Sequence, residues 1–371
     1  ISVDLYSINS IDLKPSVAEN IALEFYISQN PKIEYSWTYL NENVLDEYKI
    51  FAKKPKGELV VFPEKNEQDS IVEFHLTYRF DVYAISPFSR KYVYVNANNK
   101  QGIWSQEILC NYTNSNGTIQ TQYEGIKNIK LDSVSSSLFR LREDSRGLGI
   151  ETYNNQYSQF KANAIDFTNS SKIINYLTNN DRIAGDIHWG AEMVYDYYLS
   201  KHNRNSYNGN GGRVWSCAHF GSKYMNALWD GISMSYGDGD TSQGYGPFVS
   251  IEVCGHEITH ALTQYTANLQ TTGEPGAINE CLSDFFGKVI EKYTNPNLSS
   301  WNIGEKIKPN TSGFRSMSNP NNFGNPNTYG GNFWNSSSVH NRSGVGNYFF
   351  YLLVKGGNGT NDIGSSYSID S

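Results

Sequence analysis

The 371-residue chain has few charged side chains, since Lys, Arg, Asp and Glu together make up 18% of it and its formal net charge is −7. It has no cluster of Lys and Arg, which argues against nucleic acid as a partner. It also has no apolar run near the roughly 18 residues that a transmembrane helix needs, so we expect no membrane span. Its cysteines form no C-x-x-C pair, so we expect buried free thiols rather than metal ligands. They are Cys110, Cys217, Cys254 and Cys281.

Tyrosine (27), asparagine, serine and glycine (32) are abundant instead. Little charge and many small polar residues suit an exported protein better than a cytosolic one, so we expect the protein to be secreted. The length is enough for two or three domains with cores of their own.

The segment Gly255-His256-Glu257-Ile258-Thr259-His260 contains the pattern H-E-x-x-H. Two histidines four residues apart lie on one face of a helix, close enough to bind one zinc ion. Glu257 points away from that face, and in this pattern the glutamate acts as general base of a zinc hydrolase. The alternative is a helix with two exposed or packed histidines.

A second helix follows, over residues 276–293, and we expect it to be buried because apolar residues recur every four positions. The two apolar series are Leu282, Phe286, Ile290 and Phe285, Val289, Tyr293. Glu280 and Asp284 are also four apart, and burying two carboxylates is costly unless they meet a cation. We predict Glu280 as the third zinc ligand and Asp284 as the acceptor of an imidazole N–H. A solvated acidic edge is the alternative.

These residues resemble the thermolysin-like zinc metalloproteases, whose zinc ligands are two histidines and a glutamate. The resemblance runs from about Asn116 to the C-terminus. Its other matching segments are RLREDSRGLGIETY (140–153), HWGAEMVYDYY (188–198), NALWDGISMSYGDGD (226–240), RSMSNP (315–320) and Val339-His340.

The resemblance implies roles for further residues. His340 matches the histidine that donates a hydrogen bond to the developing oxyanion, and Asn226 and Arg315 match residues that bind the substrate main chain. For Arg315, a buried salt bridge is the competing interpretation. The strand that pairs with extended substrate starts at Asn226 and Ala227. An apolar pocket for the residue after the scissile bond is implied at Val253, Phe248 and Phe314.

Two positions depart from the family pattern. Asn335 stands where an acidic residue would orient His340, and Thr271 stands where a tyrosine shares the oxyanion role, so activity could be lower than usual. The family also binds calcium beside the zinc helices. Glu252, Glu291 and Glu305 match acidic ligands, but Ser300 and Asn302 replace two others, so we expect one calcium rather than two.

Residues 1–110 differ in character from the rest. The segment from Ser16 to Glu19 fits a capping box, and Val17, Ile21 and Phe25 predict the apolar stripe of the helix that follows. Strands are predicted at residues 58–62, 71–83 and 91–95. The stretch 78–98 resembles the C-terminal part of the family's pro-domain (PepSY-like), which implies an intramolecular chaperone and inhibitor. Cleavage is then expected near 111–117. An unrelated β-rich binding module is the alternative, and Cys110 as a thiolate ligand that blocks the zinc is a further hypothesis.

The expected fold class is α+β. An N-terminal α/β pro-domain (1–110) precedes a two-lobed thermolysin-like catalytic domain, with a β-rich lobe (111–250), a mainly helical lobe (251–371) and the zinc helix between them. The helical lobe is expected to be truncated, because the family continues with further helices. The expected function is a secreted zinc endopeptidase, made as a proenzyme, that acts on proteins or peptides and prefers an apolar residue after the scissile bond. The rival is a zinc-stabilised, noncatalytic secreted protein that binds peptides or glycans.

Overall fold

The structure is a computed structural model that describes residues 12–39, 53–66, 71–86, 88–99, 102–107, 113–161, 164–174, 179–298 and 300–370. The chain divides into an N-terminal unit, Ile1–Asn111, and a C-terminal unit, Tyr112–Ser371. The helices are α1 (Glu19–Gln29), α2 (Ser36–Tyr39), α3 (Asn179–His202), α4 (Ile251–Gln264), α5 (Gly273–Thr294), α6 (Val339–Arg342) and α7 (Gly344–Lys355). Among the described residues, no helix is both long enough and apolar enough to cross a membrane.

The strands of the N-terminal unit are β1 (Glu34–Tyr35), β2 (Glu58–Lys65), β3 (Ile71–Ser86), β4 (Phe88–Asn96) and β5 (Ile103–Glu107). They form an antiparallel sheet in which the long β3 pairs with β1, β2 and β4, and β4 pairs with β5. Helix α1 covers this sheet with Ala22, Leu23 and Tyr26, which pack in one core with apolar side chains of β3 and β4.

Two expectations for α1 are wrong. Its N-cap is Ala18 without a side-chain cap, because the Ser16 hydroxyl donates to the Asn98 carbonyl oxygen instead. Ile21 is 46% exposed rather than part of a buried stripe. The sheet therefore decides which side of α1 is buried, and the local sequence pattern does not.

The strands of the C-terminal unit are short. They are β6 (Asn114–Gln120), β7 (Ile126–Ser135), β8 (Leu138–Arg140), β9 (Arg142–Glu143), β10 (Ile150–Asn154), β11 (Ile165–Asp166), β12 (Thr168–Asn169), β13 (Ile173–Ile174), β14 (Val214–Ala218), β15 (Ala227–Trp229), β16 (Met234–Tyr236), β17 (Asn302–Ile303), β18 (Arg315–Ser316), β19 (Gly357–Thr360) and β20 (Ser366–Ile369). One sheet has the order β12-β8-β7-β6-β13, and a second has the order β11-β10-β14-β16-β15 with β9 added to β10. Strand β15 thus lies at an edge of its sheet.

Helix α4 packs against α3, α5 and strand β15, so it lies between the β-rich and helical parts of the C-terminal unit. The two helices α4 and α5 approach closely at a pair of glycines. A β-carbon on Gly287 would lie 2.3 Å from the carbonyl oxygen of Glu252, and one on Gly255 would lie 3.0 Å from the Gly287 Cα. This close contact brings the H-E-x-x-H helix against the helix that carries Glu280. The expected α+β, two-lobed architecture with the zinc helix between the lobes is confirmed.

Helices α3 and α5 differ from the sequence predictions. Helix α3 spans 24 residues, whereas only the part near 191–198 was expected. It packs against strands of both sheets of the β-rich part and against α4, so its residues do not divide into one buried apolar face and one exposed polar face. Helix α5 begins at Gly273, and its fully buried face is largely polar. That face carries Asn279, Glu280, Ser283, Asp284, Lys288 and Glu291, whereas Leu282 and Phe286 are only half-buried.

A buried charge network on α3 makes stability depend on pH. The Glu192 carboxylate lies 3.3 Å from the Arg146 guanidinium, which also binds Asp196 (2.8 Å) and faces Glu143 at 3.5 Å. Burial raises the pKa of Glu192 to about 8, and the negative charges of Glu143 and Asp196 add to this rise against the opposing effect of Arg146. His188 lies 3.9 Å from Glu192, and burial lowers the pKa of His188 to about 4.

We therefore expect Glu192→Gln to flatten the stability profile between pH 6.5 and 8. In this window Glu192 of the folded protein holds a proton that the unfolded chain has already released. The free energy of unfolding of the wild type therefore falls by roughly 2 kcal/mol as the pH rises. His188 has the opposite effect, at pH values below this window. There the unfolded chain binds a proton at His188 that the folded protein does not, so stability rises with pH. Thermal unfolding of both proteins from pH 6 to 8.5 measures the effect, and equal slopes for the two would contradict it.

Candidate metal centre

Three side chains from α4 and α5 converge on one point. The His256 and His260 Nε2 atoms are 2.9 Å apart, and Glu280 oxygens lie 3.4 and 3.6 Å from them. Ligands held about 2.1 Å from a tetrahedral zinc ion are separated by roughly 3.4 Å, so the spacing fits such an ion. Glu280 Oε2 is buried and has no hydrogen-bond partner, as expected of an oxygen atom that binds a metal ion. The donor set of two imidazoles and one carboxylate also suits zinc.

The other ring nitrogens are fixed by neighbours, which leaves both Nε2 atoms free to bind. His256 Nδ1–H donates to Asp284 at 2.9 Å. His260 Nδ1–H donates to Asn279 at 3.0 Å and lies 3.1 Å from the Ser283 hydroxyl. The sequence prediction missed Asn279 and Ser283, although their spacing of four on the helix of Glu280 was a usable signal.

The carboxylates around the centre favour positive charge. Burial alone would lower the pKa of His256, but its hydrogen bond to Asp284 and the negative charges of Asp284 and Glu280 raise it to about 10. Burial and the neighbouring His256 lower the pKa of His260 to about 4. Burial alone would raise the pKa of Glu280, yet the two histidines hold it at about 2. A cation placed between these groups is therefore electrostatically favoured.

Glu257 lies on α4 beside the first histidine but outside the ligand cluster. It is 5% exposed and borders the same cavity as the three ligands. Burial raises the pKa of Glu257 to about 7, and the backbone N–H of Trp229 donates a hydrogen bond to it. The carboxylate therefore faces the space beside the metal position without filling it.

His340 reaches the centre from α6. Its Nε2 lies 3.3 Å from Glu280 Oε2, and the ring is 55% exposed at the cavity. Thr271 also lines this cavity, whereas Asn335 is exposed. The structure thus brings His340 and Thr271 to the site that the sequence resemblance implies.

A cavity of about 690 Å³ opens over the centre, and the implied substrate residues lie in its wall. One side is the edge strand β15 with Asn226 and Ala227 before and at its start. Another side is apolar and contains Val253, Phe248 and Phe314, with the two phenyl rings stacked at 6.0 Å. A free strand edge can pair with an extended peptide, and the apolar side can take its side chain.

Arg315 lies in the wall and also makes the competing salt bridge. Its guanidinium donates to Asp284 at 2.9 and 2.6 Å. Asn347 of α7 donates to the same carboxylate at 2.9 Å. Asp284 is therefore shared by His256, Arg315 and Asn347. No sequence pattern indicated Asn347.

Within the described part of the chain, the three residues implied for calcium do not form a tight three-residue cluster, although the charge of Glu252 acts on Glu291. Among the described residues, the groups with three possible ligand atoms mutually within 4.8 Å are the zinc cluster and Glu64, Glu73 and His75, and neither contains Glu252, Glu291 or Glu305. Cys217, Cys254 and Cys281 are all buried, and Cys254 and Cys281 are free thiols, as expected. Cys110 and the first two residues of the expected cleavage segment, Asn111 and Tyr112, lie outside the described residues.

Two imidazoles on one helix, a carboxylate on the next and a buried glutamate beside a peptide-sized groove define the class of H-E-x-x-H zinc metallopeptidases. Comparison with known families agrees. Residues 116–264 match the thermolysin metallopeptidase catalytic domain, and residues 267–369 match the alpha-helical domain of the same enzymes. The chain belongs to the thermolysin metallopeptidase family.

Several relatives are similar over long stretches. A thermolysin of Alicyclobacillus acidocaldarius subsp. acidocaldarius is 40% identical over 226 residues, which cover 59% of this chain and 40% of that protein. A bacillolysin of Brevibacillus brevis is 32% identical over 325 residues, covering 85% of this chain and 57% of that protein. A solved precursor of protealysin, a metalloproteinase from Serratia proteamaculans, aligns with TM-score 0.49 and 26% identity over 56% of this chain and 68% of that one. The chain thus spans about two fifths to three fifths of the length of these curated relatives.

Proposed function

We propose that the chain is a zinc-dependent endopeptidase that hydrolyses peptide bonds in proteins. The observation that carries this proposal is the convergence of His256, His260 and Glu280 next to Glu257, at the floor of a groove with a free strand edge. A merely structural zinc site needs neither a buried carboxylate outside its ligands nor an open groove.

His256, His260 and Glu280 would hold zinc. When bound, zinc lowers the pKa of a coordinated water to about 7 and polarises a carbonyl group. Glu257 takes the proton from the attacking water and later delivers it to the leaving amine. His340, at the exposed side of the centre, donates a hydrogen bond to the oxygen on which negative charge develops. Asp284 keeps the imidazole of His256 in the orientation that presents its Nε2.

The same groove positions the substrate. An extended peptide adds to the edge of β15, with Asn226 and Arg315 as hydrogen-bond donors to its main chain. The side chain after the scissile bond enters the pocket of Val253, Phe248 and Phe314, which favours apolar residues there.

The N-terminal unit acts as a pro-domain in this proposal. The match to the bacillolysin of Brevibacillus brevis covers 325 residues, more than the whole C-terminal unit, so it extends into the N-terminal unit. Together with the low charge of the chain, this supports a proenzyme that is secreted. An intact chain with full activity before any cut between the units would contradict the proenzyme.

The test is hydrolysis of casein by the processed chain, followed by mass spectrometry of the fragments. We expect a zinc chelator to abolish hydrolysis and added zinc to restore it, because the metal supplies both water activation and carbonyl polarisation. Cuts are expected mainly before apolar residues. Binding of casein without any hydrolysis would refute the enzyme, and cuts mainly beside charged residues would refute the assigned pocket.

A further inference from the structure

An ion-pair group contains Glu252, one helical turn before His256 on α4, and Glu291, about three turns after Glu280 on α5. Glu252 of α4 and Glu291 of α5 are each 3% exposed. They are two of the three residues for which the family resemblance implies calcium. The cations that the structure places beside this pair of carboxylates are lysine ammonium groups.

Lys288 is itself buried, with 1% exposed surface, and its Nζ donates to Glu291 Oε2 at 2.6 Å. Lys306 follows strand β17, and its Nζ lies 3.7 Å from Glu291 Oε1. Lys306 also forms an ion pair with Glu124, whose side chain is mostly buried. Both oxygens of Glu291 therefore face an ammonium group.

The negative charge of Glu252 also acts on Lys306. Burial alone would lower the pKa of Lys306, but the hydrogen bond that it donates to Glu124 and the charges of Glu124, Glu252 and Glu291 raise it. Burial and the charge of Glu252 raise the pKa of Glu291 to about 7, against the opposing effect of both lysines. The carboxylates thus have counter-charges from the chain itself.

Calcium needs six to eight oxygen ligands and a site with net negative charge. Here Glu252 Oε1 accepts from the backbone N–H of Gly304 at 3.3 Å, and Glu291 is bonded to Lys288. Two ammonium groups within a few ångströms repel a divalent cation, and each of them faces one oxygen of Glu291. Glu252 Oε2 is then the buried oxygen of this carboxylate pair that has no hydrogen-bond partner. The residues present therefore do not fit the calcium ion that the resemblance implies.

We propose that Lys288 and Lys306 replace calcium as the cations that join α4, α5 and the segment after β17 in this chain. The group connects the start of the zinc helix with the strand that supplies Ile303 to the cavity wall. The contact between α4, α5 and the segment after β17 is then stabilised by ion pairs within the chain, and its stability does not depend on bound calcium.

The first test uses the zinc-loaded wild-type chain in calcium-free buffer. Thermal unfolding is followed while calcium or magnesium is raised to about 10 mM, above the Kd of weak extracellular calcium sites. We expect equal effects of the two ions on the midpoint temperature. A rise that is specific to calcium and that Glu252→Gln abolishes would overturn the proposal.

The second test removes one ammonium group. Lys306→Gln is expected to lower the unfolding midpoint by about 2 to 8 °C without calcium, because buried carboxylates lose their partner, and calcium should then restore part of the loss. Lys201→Gln, at an exposed position of α3, is the matched control and should show neither effect. Lys306→Arg keeps the charge and should stay near the wild-type midpoint.

An unchanged midpoint in Lys306→Gln would overturn the proposal. If that variant fails to fold while Lys306→Arg folds normally, the requirement for the charge is supported. All these measurements report stability, so their outcome is independent of whether the chain hydrolyses casein.

Discussion

Replacing Glu257 by glutamine is expected to lower kcat/KM for peptide hydrolysis by about 10²- to 10⁴-fold, with the zinc content unchanged. Glutamine has nearly the same size and can still accept the hydrogen bond from the Trp229 backbone, but it cannot take a proton from water. Because Glu257 is not one of the clustered ligand residues, the metal should remain bound. Steady-state kinetics with a quenched fluorescent peptide, together with zinc analysis, measure both quantities.

Glu274→Gln is the matched control. Glu274 lies at the start of α5, is exposed and accepts a hydrogen bond from the Tyr329 hydroxyl. The same chemical change there should leave the kinetics near wild type. Glu257→Gln with more than a tenth of wild-type kcat/KM would exclude Glu257 as the general base.

Replacing Asp284 by asparagine is expected to have the largest effect on stability. Asp284 is 1% exposed and accepts from His256, Arg315 and Asn347. Removal of its charge leaves the guanidinium of Arg315 without its partner, which costs about 3 to 5 kcal/mol for buried ion pairs. Zinc affinity should also fall by about 10- to 100-fold, because His256 loses the acceptor that orients it.

A double variant separates the two effects. In Asp284→Asn combined with Arg315→Met, both charges are gone, so part of the lost stability should return, whereas zinc affinity should stay low. Denaturant unfolding and competition with a chromophoric chelator measure the two quantities. Wild-type zinc affinity in Asp284→Asn would show that this carboxylate only pairs with Arg315.

The cluster of His256, His260 and Glu280 could be predicted from the sequence because helical spacing is a local property. His256 and His260 are one turn apart on α4, and Glu280 and Asp284 are one turn apart on α5, so each pair shares a face in any helix. The antiparallel strands β2, β3 and β4 were likewise indicated by runs of β-branched and aromatic residues.

The buried face of α5 shows where local patterns fail. Apolar periodicity singled out Leu282, Phe286 and Ile290, but of these only Ile290 is fully buried. The buried face also carries Asn279, Ser283 and Lys288. A helix normally buries its apolar side, but this one faces a metal centre and an ion-pair group, where polar atoms find partners. Which side of α5 is buried therefore depends on the groups that pack opposite it.

The sequence by itself determined the helical pairs that can bind zinc, the neighbouring base and, through resemblance, the family. Only the tertiary structure decided how α4 and α5 meet at Gly255 and Gly287, which side chains hold His260 and Asp284, and which cation lies beside Glu252 and Glu291. These features join residues far apart in the chain. Their energies come from distances and burial, which no local pattern of residues contains.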